Sequence, residues 1–318
     1  MRRALRILAG LILSAVLALL ALMFWPVPPF QSPPSGDRAP DAGSPEIRPG
    51  SGTIEMNHGR VTDRVYVLLH GVTNSPVQFR DFGKRLFDTG ANVFIPRMPF
   101  HGYRDRMTDA QRLFTAQVML DEANRAIDHA KTLGRKVTVV GLSVNGTTAA
   151  WVAQNRPDVE QAVLLAPLFA PAGLPDWLVG PLARLFSRLP NFFVWWDADA
   201  KENLAGNPEV YPRFATHSMA TTLLLGLEVF RQARQTPPAV PRIVVITSAA
   251  DRAINYPEVA ELIRLWEKSA PGAVKAYQFP AEMKVPHDFI DPQQPDQQVE
   301  RVYPVLLEII RSSGAGGS

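Results

Sequence analysis

A serine hydroxyl is a weak nucleophile at neutral pH. An imidazole that takes its proton, and a carboxylate that orients and steadies that imidazole, make it an effective one. The chain offers such a set, in order, in three short stretches: Gly141-Leu142-Ser143-Val144-Asn145-Gly146, then Asp251, then His287. The first stretch places a serine between small residues, as a tight strand-to-helix turn requires where the two elements approach closely. Asp251 follows a run of small residues, Ser248-Ala249-Ala250, and His287 lies in Val285-Pro286-His287-Asp288-Phe289. Each residue also has a plainer role open to it. A serine after a strand can simply cap the next helix, an aspartate there can be a turn residue, and a loop histidine can be solvated.

Three runs that read as buried strands lead into these residues: 136–140 before the serine, 242–247 before the aspartate and 274–279 before the histidine. They belong to a longer alternation. Strands are expected over 61–69, 91–96, 136–140, 161–166, 242–247 and 273–279. Helices are expected over 76–88, 110–133, 146–154, 257–269 and 297–311. Alternating β and α elements with all-apolar strands predict an α/β fold with a mostly parallel sheet covered by helices on both faces. In such sheets, sites form at the carboxyl ends of strands, where all three residues fall.

Residues 168–219 interrupt the alternation with a stretch rich in aromatics and prolines, among them Trp177, Phe192, Trp195, Trp196, Tyr211 and Phe214. Leaving and rejoining the pattern near strand ends, it reads as a cap inserted over the site. The alternative is a helical extension packed on the core with its aromatics buried. The catalytic core is then 51–167 together with 220–311.

Two further segments join the argument. Leu68-Leu69-His70-Gly71-Val72-Thr73-Asn74-Ser75-Pro76 resembles the strand-end His-Gly loop of α/β-hydrolases. Ile95-Pro96-Arg97-Met98-Pro99-Phe100-His101-Gly102-Tyr103 is similar to a second loop of the same families. With the serine turn, Asp251 and His287, the resemblance covers most of 61–311. It points to bacterial carboxylesterases and to the monoacylglycerol-lipase-like and serine-aminopeptidase-like groups. It implies that Ser143 is the nucleophile, His287 the base and Asp251 its partner, with the backbone N–H groups of Val72 and Val144 forming the oxyanion hole. It also implies ester hydrolysis through an acyl-enzyme on a small-molecule or lipid ester. Thioesterase or peptidase action, or an inactive hydrolase-fold binding protein, are the alternatives. One position departs from the pattern: Asn145 stands where these families usually have glycine or another small residue. His70 is expected to shape its loop and His101 to line the pocket, while His58, His129 and His217 are expected at the surface or in packing. Asp288 and Asp291 lie too near His287 in sequence to be its first-choice partner. No cofactor is required, and no His, Asp and Glu spacing suits a metal.

The bulk numbers narrow the classes further. The chain has 318 residues, 46% hydrophobic and 20% charged, as in ordinary globular proteins. Removing Arg2, Arg3 and Arg6 from the 33 basic residues leaves 30 against 30 acidic ones, so the remainder is neutral and nucleic-acid binding gains no support. Without cysteine there is no disulfide, thiolate metal site or cysteine nucleophile. From Ile7 to Trp25 no residue is charged. That apolar run reaches about 28 Å as a helix, near the thickness of a hydrocarbon core. Residues 1–25 are therefore expected to be a signal-anchor helix, with the three arginines cytoplasmic and the catalytic part outside. Cleavage of a signal peptide and secretion is the alternative. Residues 26–50, dense in Pro, Ser and Gly, read as a spacer, and 312–318 as a frayed tail.

Overall fold

Strands that are apolar on both faces are stable only when helices cover both faces, and that condition organises the chain. A computed structural model describes residues 2–27, 30, 46–196 and 206–312. The expected spacer over 28–29 and 31–45, the expected tail over 313–318, and residues 197–205 of the expected insertion lie outside the described residues. The strands are β1 (Ile54–Met56), β2 (Thr62–Leu69), β3 (Asn92–Ile95), β4 (Gly134–Leu142), β5 (Gln161–Leu165), β6 (Phe193–Trp195), β7 (Arg213–Ala215), β8 (Ile243–Ser248) and β9 (Val274–Phe279). The α-helices are α1 (Arg2–Phe24), α2 (Arg80–Phe87), α3 (Ala116–Leu133), α4 (Val144–Asn155), α5 (Asp176–Phe186), α6 (Thr216–Ala233), α7 (Tyr256–Ser269) and α8 (Val299–Ser312).

Seven strands form one sheet in the order β1-β3-β2-β4-β5-β8-β9. Every pairing in it is parallel except the β1–β3 edge. The strands β4, β5 and β8 are interior, and β5 and β8 are buried at every residue. Strand β9, which leads to His287, is instead an edge strand in which only Phe279 is buried, so the buried strand expected over 274–279 is largely exposed. Register aligns their ends: Leu69 is opposite Gly141, Leu142 opposite Leu165, and Leu165 opposite Ile246. The chain reversals after β2, β4 and β8 thus gather at one rim. Large side chains such as Tyr66, Phe82, Trp266 and Phe289 fill the core between sheet and helices.

The structure refines several sequence expectations. The helix expected over 110–133 is broken: a 3-10 turn, Ala110–Leu113, precedes α3, and the Thr115 side chain caps α3 by accepting from the Val118 N–H. The helix after the serine begins at Val144, immediately beyond it. Strand β1 has no signature in the sequence, because three residues are too short for a periodic pattern. Within 168–219 lie α5, the antiparallel hairpin β6–β7 and the first turn of α6. The attached core also starts earlier than residue 51. Ile47 bridges to Tyr103, the Arg48 N–H donates to Gly102 O, and Ser51 Oγ donates to Glu209 Oε2 at 2.5 Å.

Candidate active site

Ser143 sits at φ 59°, ψ −118°, a backbone conformation that non-glycine residues rarely adopt. Such strain costs about 1–3 kcal/mol and persists only where the surroundings over-determine it. Here they do. The Ser143 N–H donates to Leu165 O at 2.9 Å, and its carbonyl accepts from Gly146, Thr147 and Leu168. The small neighbours are obligatory. A Cβ on Gly141 would lie 1.9 Å from Asn145 O, and one on Gly146 would lie 2.8 Å from Pro167 Cα. Strand and helix can meet this closely only through glycine, and the turn lifts the serine oxygen above the sheet.

The three side chains separated in sequence converge at this rim. Ser143 Oγ lies 3.0 Å from His287 Nε2, and His287 Nδ1 lies 2.7 Å from Asp251 Oδ2. The carboxylate accepts from Nδ1–H, which leaves Nε2 of the neutral ring free to accept the serine proton. The Asp251 side chain is 1% exposed and that of His287 is 29% exposed, so the pair is buried on the carboxylate side and open toward the cavity that Ser143 and His287 line. Asp251 Oδ1 accepts from the Ala253 N–H at 2.8 Å, and Ser248 Oγ donates to Val285 O at 2.7 Å, stitching the His287 loop to the end of β8.

The Val144 amide is the first of α4, where N–H groups lack intrahelical acceptors and the helix dipole favours negative charge. Val72 lies with Ser143 and His287 on the wall of one cavity of about 510 Å³. Its loop is held from several directions. Gly71 N–H donates to Gln78 Oε1, and the Val72 carbonyl accepts from Gln111 Nε2 at 2.9 Å and faces His101 Nε2 at 2.6 Å. His101 therefore supports this loop from a fully buried position and is absent from the cavity wall, unlike the expected lining role. Its other nitrogen faces Pro99 O at 2.8 Å. Burial drops its pKa to about 4, so the neutral ring donates to only one of the two carbonyls at a time. His70 is also buried and held well below the usual histidine range by desolvation; its Nδ1 faces Gly71 O and its Nε2 accepts from Met98 N–H. His58 stacks on Phe87, His129 pairs with Glu55, and His217 Nε2 faces Leu189 O.

Leu168, Pro171, Trp196, Val210, Phe214 and Met219 give the cavity its apolar wall, and all six belong to 168–219. Part of that segment is fastened to the loops beneath. Tyr211 N–H donates to Thr73 O at 2.7 Å, Tyr211 Oη accepts from Tyr103 N–H, and Glu209 accepts from Ser75 Oγ. Several of its aromatics are exposed, led by Trp177 at 74%, which a purely buried extension would not give. Beyond sequence reach was a polar lattice under the His287 loop. Gln78 Nε2 donates to Asp288 Oδ2, while Asp291 Oδ2 accepts from both Asn74 and Asn207. Burial first, then the neighbouring Asp288 charge, pushes the Asp291 carboxyl up to about 6. Its residues are more than 80 positions apart in most pairs, and no local spacing signals them. Among the described residues, no group of three or more His, Cys, Asp or Glu could hold a metal ion.

The family model described as "Alpha/beta hydrolase family" matches residues 66–302, and the chain belongs to that family. No curated protein matches it in sequence. Among solved structures, one of the metagenome-derived lipolytic enzymes reported as LipS and LipT superposes with a TM-score of 0.63 at 18% identity, covering 84% of this chain and 100% of that one. The monoacylglycerol lipase of Paleococcus ferrophilus gives 0.61 at 17% identity, covering 82% and 98%. A soluble variant of the Saccharomyces cerevisiae monoglyceride lipase, solved with a substrate analogue, gives 0.59 at 12% identity, covering 82% and 90%. At these identities the likeness is one of fold.

Proposed function

We propose that the protein is a membrane-anchored serine hydrolase that cleaves carboxylic esters with hydrophobic acyl groups. The observation that carries this reading is the continuous relay Ser143 Oγ–His287 Nε2 at 3.0 Å and His287 Nδ1–Asp251 Oδ2 at 2.7 Å, opening on an apolar-walled cavity. Ser143 Oγ attacks the ester carbonyl while His287 Nε2 takes its proton, and Asp251 stabilises the imidazolium. The Val72 and Val144 amides donate to the carbonyl oxygen as it becomes an oxyanion. His287 returns the proton to the departing alcohol, leaving the acyl group on Ser143. Water then attacks the acyl-enzyme, His287 taking its proton, and the carboxylic acid leaves as Ser143 recovers its hydrogen.

The segment 168–219 acts as a cap that supplies the acyl-binding wall. Lipolytic enzymes and monoacylglycerol lipases share the fold, which supports an acyl ester as substrate. The apolar helix over Arg6–Phe24, with a mean hydropathy of 2.8, supports an anchor that leaves the catalytic part outside the cytoplasm. A fluorophosphonate probe tests the mechanism. The wild-type protein is expected to gain one covalent adduct on Ser143 by intact mass, and Ser143→Ala none. Equal labelling of both proteins would discard the assignment.

A further inference from the structure

Asn145 occupies the elbow two residues past Ser143, where its side chain is fully buried and does not reach the cavity wall. Its amide Nδ2 donates to the backbone carbonyl of His70 at 2.5 Å. That carbonyl has a particular problem. The β2–β4 ladder pairs Leu68 with Val140 and Leu69 with Gly141, then stops, because β4 turns into the elbow. Ser143 N–H is committed to Leu165 O on the other neighbouring strand. A buried carbonyl one step beyond the ladder needs a donor from elsewhere. The Asn145 side chain supplies it, extending the β2–β4 connection past the point where backbone pairing ends.

The two ends of this bond carry the two amides assigned to the oxyanion hole. Asn145 directly follows Val144, and His70 lies two residues before Val72. We infer that Asn145 is a positioning residue that fixes the separation of the Val72 and Val144 N–H groups, as a strut between the elbow and the loop. The intervening residue is held just as firmly: Gly71 donates to Gln78 Oε1 at 2.8 Å, and its carbonyl faces His70 Nδ1 at 2.9 Å. Asn145 Oδ1 is buried and has no hydrogen-bond partner among the described residues. An unmatched buried acceptor is destabilising. Packing alone would be better served by a small residue at this position. The amide is explained by the bond it makes on its other side.

This inference rests on the Ser143 mechanism, and the test separates the two. Full-length wild-type, Asn145→Ala, Asn145→Gly and Asn145→Asp proteins are titrated with a fluorophosphonate, so rates are expressed per active site. Loss of folded protein lowers the titre and leaves the per-site rate unchanged. Each is then assayed on a p-nitrophenyl ester and its thionoester. An oxyanion hole discriminates strongly between carbonyl and thiocarbonyl, whereas serine and histidine serve both. Misplacement of reacting groups by an ångström or less lowers rates by roughly ten- to a hundredfold. The expected result is a fall of that size in kcat per site for Ala and Gly, with KM within about twofold. The ester-to-thionoester ratio falls by a similar factor. Asp, whose carboxylate oxygen would face the His70 carbonyl, falls further. Wild-type kcat per site and an unchanged ratio in the Gly and Ala variants would overturn the strut while leaving the mechanism standing. Labelling that persists in Ser143→Ala would instead remove the mechanism beneath it.

Discussion

Asp251 and His287 show how much one hydrogen bond decides. Nδ1–H donates to a carboxylate that is 1% exposed, and that bond selects the tautomer with Nε2 free toward Ser143, 3.0 Å away. In Asp251→Asn the amide can present its NH2 group to Nδ1. The ring then carries its proton on Nε2, where it cannot accept from the serine. The shape of the site survives and its chemistry does not. The expected loss in kcat is about 10⁴-fold, with KM little changed, measured on a short-chain p-nitrophenyl ester. A loss below about tenfold would mean that another group orients the imidazole. The positions of these residues were legible because each follows a segment readable as a strand, β8 from its apolar run and β9 from its place in the alternation, and a parallel sheet brings strand ends together. The bond of Asn145 was not legible. Its partner is a backbone carbonyl 75 residues earlier, placed there by sheet register, and sequence showed only that Asn145 departs from the usual small residue.

At the scale of elements, the lattice around Asp291 ties three pieces together: the loop after β2 through Asn74, the segment before β7 through Asn207, and the His287 loop through its own backbone. Its carboxyl is raised from 3.8 to about 6, mainly by burial. The native state therefore holds this proton more tightly than the unfolded chain, and its contribution to stability falls as pH rises from about 4 to about 6. The shift corresponds to about 3 kcal/mol across that window. Thermal unfolding from pH 4 to 7 checks it. The Tm of wild type is expected to decline more, or rise less, with pH than that of Asp291→Asn, and to run parallel to it above about pH 7. Parallel curves throughout would show that Asp291 keeps an ordinary carboxyl pKa. The interior strands of the sheet were readable from apolar runs, since β5 and β8 are buried at every residue. The hairpin β6–β7 was not, because three-residue strands with half-buried side chains carry no periodic signature. The attachment of the chain at Ile47 was hidden for a related reason. The Pro, Ser and Gly content of 26–50 obscured a bridge at Ile47 made by a single residue.

The whole molecule joins a charge-balanced enzyme-like domain to a helix that water does not suit. Side chains along α1 such as Ile7, Leu11 and Leu17 are more than half exposed, and none of the Arg6–Phe24 window is buried against the rest of the protein. The far end of α1 is nevertheless attached. The Arg188 guanidinium donates to the carbonyls of Leu22, Trp25 and Pro26 at 2.9, 3.1 and 2.9 Å. These include acceptors that a helix C-terminus leaves without partners, at the pole where a cation is favoured. Exposed Trp25 and, on α5, Trp177 are residues suited to the layer between lipid headgroups and acyl chains. With this attachment, the proposed embedding of α1 in the bilayer would hold the aromatic segment and its cavity near the lipid surface. The full chain is therefore expected to sediment with membranes, resist extraction by high salt or alkaline carbonate, and require detergent for release. A chain starting at Glu46, which keeps the Ile47, Arg48 and Ser51 contacts, is expected to be soluble. Its kcat on a water-soluble short-chain ester should stay within about twofold of the full protein, while its rate on long-chain esters in vesicles falls at least tenfold, as the effective-concentration argument for a tether requires. Intact mass of the membrane-bound protein distinguishes an anchor from a removed leader. A full chain found in the soluble fraction at its complete mass, or equal vesicle rates for both forms, would refute the anchoring.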